Sequence, residues 1–170
     1  GEIYKTQDYD SAIDVNSNGN HFANLSICNN YMGIWAYSSK ENIFENIYFY
    51  NNSNYGMYLY SSSNDNLVDH CIFYKNNESA TYALRIKTSR NNLVRNNYFA
   101  ENGRGLYFCC GSSNNIVYHN TFINNAQYNA RDDIGNRWHN GIVEDGNYWS
   151  DYQGMDENDD GFGDRSEEHT

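Results

Sequence analysis

Five segments of this chain align with one another at spacings of 22 to 26 residues, and no other feature restricts its fold as strongly. They are NHFANLSICNN from Asn20, NIFENIYFYNN from Asn42, NLVDHCIFYKNN from Asn66, NLVRNNYFAEN from Asn92 and NIVYHNTFINN from Asn115. An asparagine recurs ten places on, as Asn30, Asn52, Asn76, Asn102 and Asn125. An apolar residue recurs two places on (Phe22, Phe44, Val68, Val94, Val117) and again at seven (Ile27, Phe49, Phe73, Phe99, Phe122). The fourth place reads Asn24, Asn46, His70, Asn96, His119.

A second pattern lies between the segments: GIWAY at Gly33, GMYLY at Gly56, YALRI at Tyr82 and GLYFC at Gly105, with Ile13-Asp14-Val15 as an earlier copy. A Ser-rich turn follows each. Alternation puts Ile34 and Ala36, Met57 and Leu59, Leu84 and Ile86, and Leu106 and Phe108 on one face. Short strands at this period, with no helix-length segment, mark a solenoid. The regular leucine consensus of a leucine-rich repeat is absent. The remaining solution is all-β: a parallel β-helix of five or six coils, with equivalent positions stacked about 4.8 Å apart.

That geometry accounts for the unusual composition. About 30 asparagines, nearly a fifth of the 170 residues, are expected at coil corners in the left-handed conformation, with amides bonded up and down the stack. Proline is absent because every interior strand needs its N–H for a neighbouring rung. The 16% aromatic content argues against disorder, and the scarcity of good helix formers argues against a helical bundle. No apolar run reaches the roughly 18 residues of a membrane-spanning helix. No signal-peptide pattern precedes the repeats, and the chain starts at Gly1, so a leader is expected to be missing. A net charge of −11 without a basic stripe excludes nucleic acid as a partner.

The acidity is uneven. Residues 1–130 carry 10 acidic and 8 basic side chains, whereas residues 131–170 carry 12 and 3. The expected organisation is repeats over 1–130, a C-terminal cap with an acidic loop over 131–164, and a foreign tail over 165–170. That tail, RSEEHT, resembles an in-frame translation of a sequencing adapter, so the natural reading frame is expected to continue.

The repeats, together with Asn136-Arg137-Trp138, GNYWSDY from Gly146, and Gly154 with Asp156 to Asp164, resemble the NosD-like parallel β-helix repeat family. The likeness runs from about Ser11 to Asp164. It implies a right-handed β-helix, a secreted, cell-surface or periplasmic location, and a place among other domains of a larger surface protein. The family's namesake assists copper delivery to nitrous-oxide reductase; related repeats occur in carbohydrate-binding and sugar-hydrolysing proteins.

Four constellations carry chemistry. Asp156, Asn158, Asp160, the Phe162 carbonyl and Asp164 match the oxygen positions of a calcium loop, with Gly161 at the turn. Trp35, Tyr37, Tyr58, Tyr60 and Tyr107, with Arg85 and Lys87 among them, form an outward aromatic face suited to a polysaccharide or cell-envelope glycan. The competing reading of that face is tyrosines packed on one another, with Arg85 in a cation–π stack between Tyr58 and Tyr107. Glu45, Asp69 and Arg95 fall on consecutive rungs, as a polysaccharide hydrolase or lyase would need and as a surface ion-pair ladder would also show. His70 and His119 share a column two rungs apart, about 9.6 Å, too far for one metal. Trp138, Tyr148, Trp149 and Tyr152 are expected to cap the core, and Cys28, Cys71, Cys109 and Cys110 to be buried thiols rather than a disulfide framework. The sequence reads as a non-catalytic binding or structural module outside the cytoplasm, with a carbohydrate-active enzyme as the rival and, implied by the resemblance, a periplasmic accessory role in copper delivery to nitrous-oxide reductase as a further alternative.

Overall fold

The computed structural model describes residues 2–4, 10–76, 81–141 and 146–152. Among them are 16 short strands and no helix. In chain order they are β1 (Glu2–Tyr4), β2 (Ser11–Val15), β3 (His21–Cys28), β4 (Met32–Tyr37), β5 (Ile43–Tyr50) and β6 (Tyr55–Tyr60). Then come β7 (Leu67–Asp69), β8 (Ile72–Tyr74), β9 (Tyr82–Lys87), β10 (Leu93–Arg95), β11 (Tyr98–Ala100) and β12 (Arg104–Cys109). The last four are β13 (Ile116–Tyr118), β14 (Thr121–Ile123), β15 (Ala130–Asp132) and β16 (Tyr148–Trp149). Every pairing is parallel and joins equivalent positions of successive coils, as in Phe49↔Phe73 and Leu59↔Ile86. The chain is a parallel β-helix of about six turns. One face is a six-stranded sheet, β2-β4-β6-β9-β12-β15, and the remaining strands form a ten-stranded sheet bent along a corner.

The corner follows from the fourth repeat place. Asn24, Asn46, His70, Asn96 and His119 all have φ between 51° and 57°. β3 and β5 pass through it as single strands of 8 residues, whereas later coils break there into β7/β8, β10/β11 and β13/β14. The residue that follows is Leu25 or Ile47 in the unbroken strands and Cys71, Asn97 or Asn120 in the later coils, and the difference lies in the side chain that meets its N–H from the next coil. In those coils the backbone N–H bonds a side chain instead of the neighbouring strand: Cys71 N–H to Asn97 Oδ1 at 2.8 Å, and Asn97 N–H to Asn120 Oδ1 at 2.9 Å.

The two recurrent asparagine columns are not the left-handed residues. That conformation falls one place earlier, on Glu41, Asp65, Asn91 and Asn114 and on Asn51, Lys75, Glu101 and Asn124. The asparagines after them are free to turn inward. Asn52 N–H and Nδ2 both donate to Asn76 Oδ1 at 3.0 Å, and Asn76 does the same to Asn102 at 3.0 Å. Each Nδ2 also reaches back to a strand carbonyl, as Asn76 does to Phe49 O at 3.1 Å. The column from Asn20 is built the same way, through Asn42, Asn66, Asn92 and Asn115 to Asn136. A serine column, Ser39, Ser63, Ser89 and Ser112, bonds backbone N–H to Oγ. Fully buried amides are tolerated because each finds partners on the neighbouring coils.

The core is a set of side-chain columns. Phe49, Phe73, Phe99 and Phe122 stack face to face with centroids 4.6, 4.7 and 4.8 Å apart, and Trp149 continues the stack 4.4 Å beyond Phe122. Trp138 packs edge-on against Phe108 and tilts against Trp149. Both tryptophans are buried and cover the last described coil. Two ladders finish on carboxylates there: Asn129 Nδ2 donates to Asp151 at 2.6 Å, and Asn136 to Asp132 at 2.9 Å. On the opposite face of the coil, register places Ala83, not Tyr82, beside Gly56. The small residue is demanded by close approach: a Cβ on Gly33 would lie 2.2 Å from the Gly56 carbonyl oxygen.

Candidate functional site

The six-stranded sheet turns alternate residues outward in three columns. Asp14, Trp35, Tyr58, Arg85, Tyr107 and Arg131 make the central one. Tyr37, Tyr60, Lys87 and Cys109 flank it on one side. Tyr55, Tyr82 and Arg104 flank it on the other. The sequence reading found the first two columns and missed the third. Tyr55 and Tyr82 precede the small residue of each strand, so the outward alternation extends one step further than the quoted motif.

Rings and cations interleave across these columns. Tyr58 stacks on Tyr55 at 4.7 Å and on Tyr60 at 5.3 Å, while Tyr82 stacks on Tyr55 and Tyr107 at 5.6 Å each. The Arg85 guanidinium lies 5.5 Å from the Tyr58 and Tyr107 ring centres and 5.1 Å from Tyr82. Lys87 sits over Tyr60, Arg104 over Tyr82 and Arg131 over Tyr107. Arg85 also donates to Tyr55 Oη at 3.1 Å and to Cys109 Sγ at 3.4 Å. Burial pushes the Tyr58 hydroxyl well above the usual tyrosine range, against the opposing pull of Arg85. Burial and the hydrogen bond to Asp133 do the same for Tyr107. Tyr58 and Tyr107 therefore stay phenolic through the physiological range. Trp35 meets Tyr37 edge-on, and its Nε1 is buried without a hydrogen-bond partner. Tyr37 is 45% exposed and marks the open side of the patch.

Glu45, Asp69 and Arg95 do occupy consecutive rungs. Each is held in its own set of bonds. Asp69 is buried, and its Oδ2 accepts from Arg95 Nε at 3.1 Å and Nη2 at 2.9 Å. Its Oδ1 faces Asn96 Nδ2 and His70 Nδ1, each at 2.9 Å. Glu45 pairs instead with His21 at 3.0 Å. Arg95 completes its set with Tyr118 Oη at 3.3 Å. The carboxylates are thus engaged in separate structural bonds.

Among the described residues no three His, Cys, Asp or Glu side chains converge as a metal site. The acidic loop with Asp156, Asn158, Asp160, Phe162 and Asp164 lies outside the described residues, as does the tail from Arg165. Cys28, Cys71 and Cys109 are buried as expected, but Cys110 is exposed, because the chain turns out of β12 there with φ 60°. A cavity of about 520 Å³ near the described end is lined by Asn114, Asn136, Arg137, Trp138 and His139, among others.

A family model described as periplasmic copper-binding protein (NosD) matches residues 5–154. Two relatives, each named probable ABC transporter binding protein NosD, come from Stutzerimonas stutzeri and Pseudomonas aeruginosa. Each is 39% identical to this chain over 83 residues, which is 48% of the chain and 19% of the relative. The matched stretch thus spans about a fifth of the length of these relatives.

Proposed function

This chain belongs to the NosD family of periplasmic copper-binding proteins, a β-helix family that works outside the cytoplasm, and on that premise we propose that it is a non-catalytic module that binds an envelope polysaccharide through its six-stranded face. The observation that carries the reading is the interleaved array of Tyr55, Tyr58, Tyr82, Arg85 and Tyr107. The rings pack on one another with Arg85 among them, as the competing reading expects, so the sheet offers a polymer their edges and hydroxyls, with the guanidinium groups as donors to its hydroxyls and carboxylates. Engagement of Asp69 by Arg95, Asn96 and His70 speaks against the rival hydrolase or lyase, which needs a carboxyl group able to exchange a proton.

Affinity electrophoresis against a panel of neutral and uronate-containing polysaccharides tests this. Retardation that is lost in Tyr37→Ala and Lys87→Gln, two side chains at the open side of the patch, is the expected result. Equal mobility of wild type and variants in every gel sinks it. Release of reducing ends or unsaturated products, abolished by Asp69→Ala, would instead establish the enzyme.

The family description favours a second reading, an accessory role in copper handling beside an ABC transporter. Among the described residues no three His, Cys, Asp or Glu side chains converge, and His70 is held by Asp69. Competition of the chain with a copper(I) chelator tests that role directly. Copper retained at one equivalent supports it; none retained removes it for this segment.

A further inference from the structure

Cys109 and Cys110 end β12 with their sulfurs 2.9 Å apart. The two residues replace a different chemistry in the other coils. Cys109 stands in the column of Tyr37, Tyr60 and Lys87, and Cys110 in the left-handed column of Ser38, Ser61 and Thr88. Cys109 is buried at 1% exposure, with Arg85 Nη2 donating to its sulfur at 3.4 Å. Cys110 is exposed. A backbone hold fixes this arrangement: the Cys109 carbonyl accepts from Ser112 N–H at 3.2 Å and Oγ at 2.9 Å, closing the turn through Cys110 and Gly111. Cys28 and Cys71 are buried on other faces of the coil.

We infer that Cys109 and Cys110 form a dithiol oxidation site that exchanges with disulfide-bearing oxidants of the extracytoplasmic space. Thiols in contact are held in the reduced state only where the compartment is reducing, and the compartment of this family is not. The division of labour follows from exposure. The Cys110 thiolate attacks one sulfur of the incoming disulfide, whose S–S bond breaks and releases one thiolate. Cys109 then attacks Cys110 Sγ in the mixed disulfide and displaces the second thiolate. Two protein thiols are oxidised, one external disulfide is reduced to two thiols, and the two cysteine protons end on the released groups. Arg85 beside Cys109 favours the thiolate needed for the second step, against the burial that raises its pKa. The same guanidinium belongs to the aromatic face, so the site sits on that surface.

The test uses the whole reduced chain under native conditions. One arm receives oxidised glutathione and the other an oxidised dithiol protein; the chain is then denatured in acid, and remaining thiols are alkylated in denaturant, counted by intact mass and located by peptide mapping. The expected result in either arm is loss of two alkylatable thiols, both within the peptide holding Cys109 and Cys110, with no oxidant attached. Cys109→Ser should trap a stable mixed disulfide at Cys110, because the resolving sulfur is gone. Four alkylatable thiols after both arms, an oxidant adduct persisting on the wild-type chain, or loss mapping to Cys28 or Cys71 would each overturn the inference.

Discussion

The residue that sets the character of this molecule is the buried asparagine. Asn76 is fully buried, and its amide serves three coils at once. Asn76→Ala would strip the acceptor from Asn52 N–H and Nδ2 and the donor from the Phe49 carbonyl. Buried groups left unpaired cost more than the bonds were worth, so a loss of about 3 kcal/mol is expected. Urea denaturation measures it, and a change below about 1 kcal/mol would mean that water replaces the amide. Cys71 illustrates a different residue-level effect. Burial pushes its thiol from 9.0 up to about 12. The unfolded chain then gives up this proton first as pH rises. Stability is intact below pH 9.0 and falls between there and about 12. One such proton sets a slope of up to about 1.4 kcal/mol per pH unit. Tyr58 and Tyr107, also raised, steepen the loss above the ordinary tyrosine range. Denaturation curves collected from neutral to alkaline pH should therefore decline less steeply in Cys71→Ala than in wild type.

At the scale of elements, the spacing between coils is the controlling quantity. A Cβ on Gly56 would stand 2.5 Å from the Ala83 carbonyl oxygen, so Gly56→Ala must push β6 and β9 apart. Overpacking against backbone costs about 2 kcal/mol. Gly111→Ala is the comparison: its φ of 89° disfavours a side chain, but no atom lies within 4 Å. Thermal melts should rank Gly56→Ala as the more damaging. If the two melt alike, the close approach of the coils is not what selects glycine in this column. The split of the long corner strands into β7/β8 and β10/β11 belongs to this scale as well. It occurs where Asn97 and Asn120 take over the bonding of the backbone.

The whole molecule is electrostatically divided. Its net charge is −11, yet residues 1–130 hold 10 acidic and 8 basic side chains, and the excess lies beyond them. The acidic loop from Asp156 to Asp164 is proposed as a calcium site on its ligand pattern. Millimolar calcium should then raise the melting temperature of the chain by several degrees, and Asp160→Ala should remove the increase. A melt unmoved by calcium would retire the site. Trp149 prolongs the phenylalanine stack, and Asp132 and Asp151 terminate two amide ladders.

The repeat by itself determined the parallel β-helix, the identity of its inward columns and the lack of proline. Each is a consequence of stacking like on like, and a period can be read without coordinates. The same period put Glu45, Asp69 and Arg95 on neighbouring rungs and Arg85 between two tyrosines. Only the tertiary structure decided what those neighbours do. Arg95 and His70 engage Asp69 while Glu45 turns to His21, because rotamers and corner geometry choose among partners that lie equally close in register. The left-handed residue precedes the ladder asparagine rather than coinciding with it, and the turn it makes lets the amide that follows point inward to both neighbouring coils. That Cys109 and Cys110 adjoin is plain in the letters; their different exposure is not. It depends on a turn that exposes one thiol and buries the other, and backbone conformation sets that.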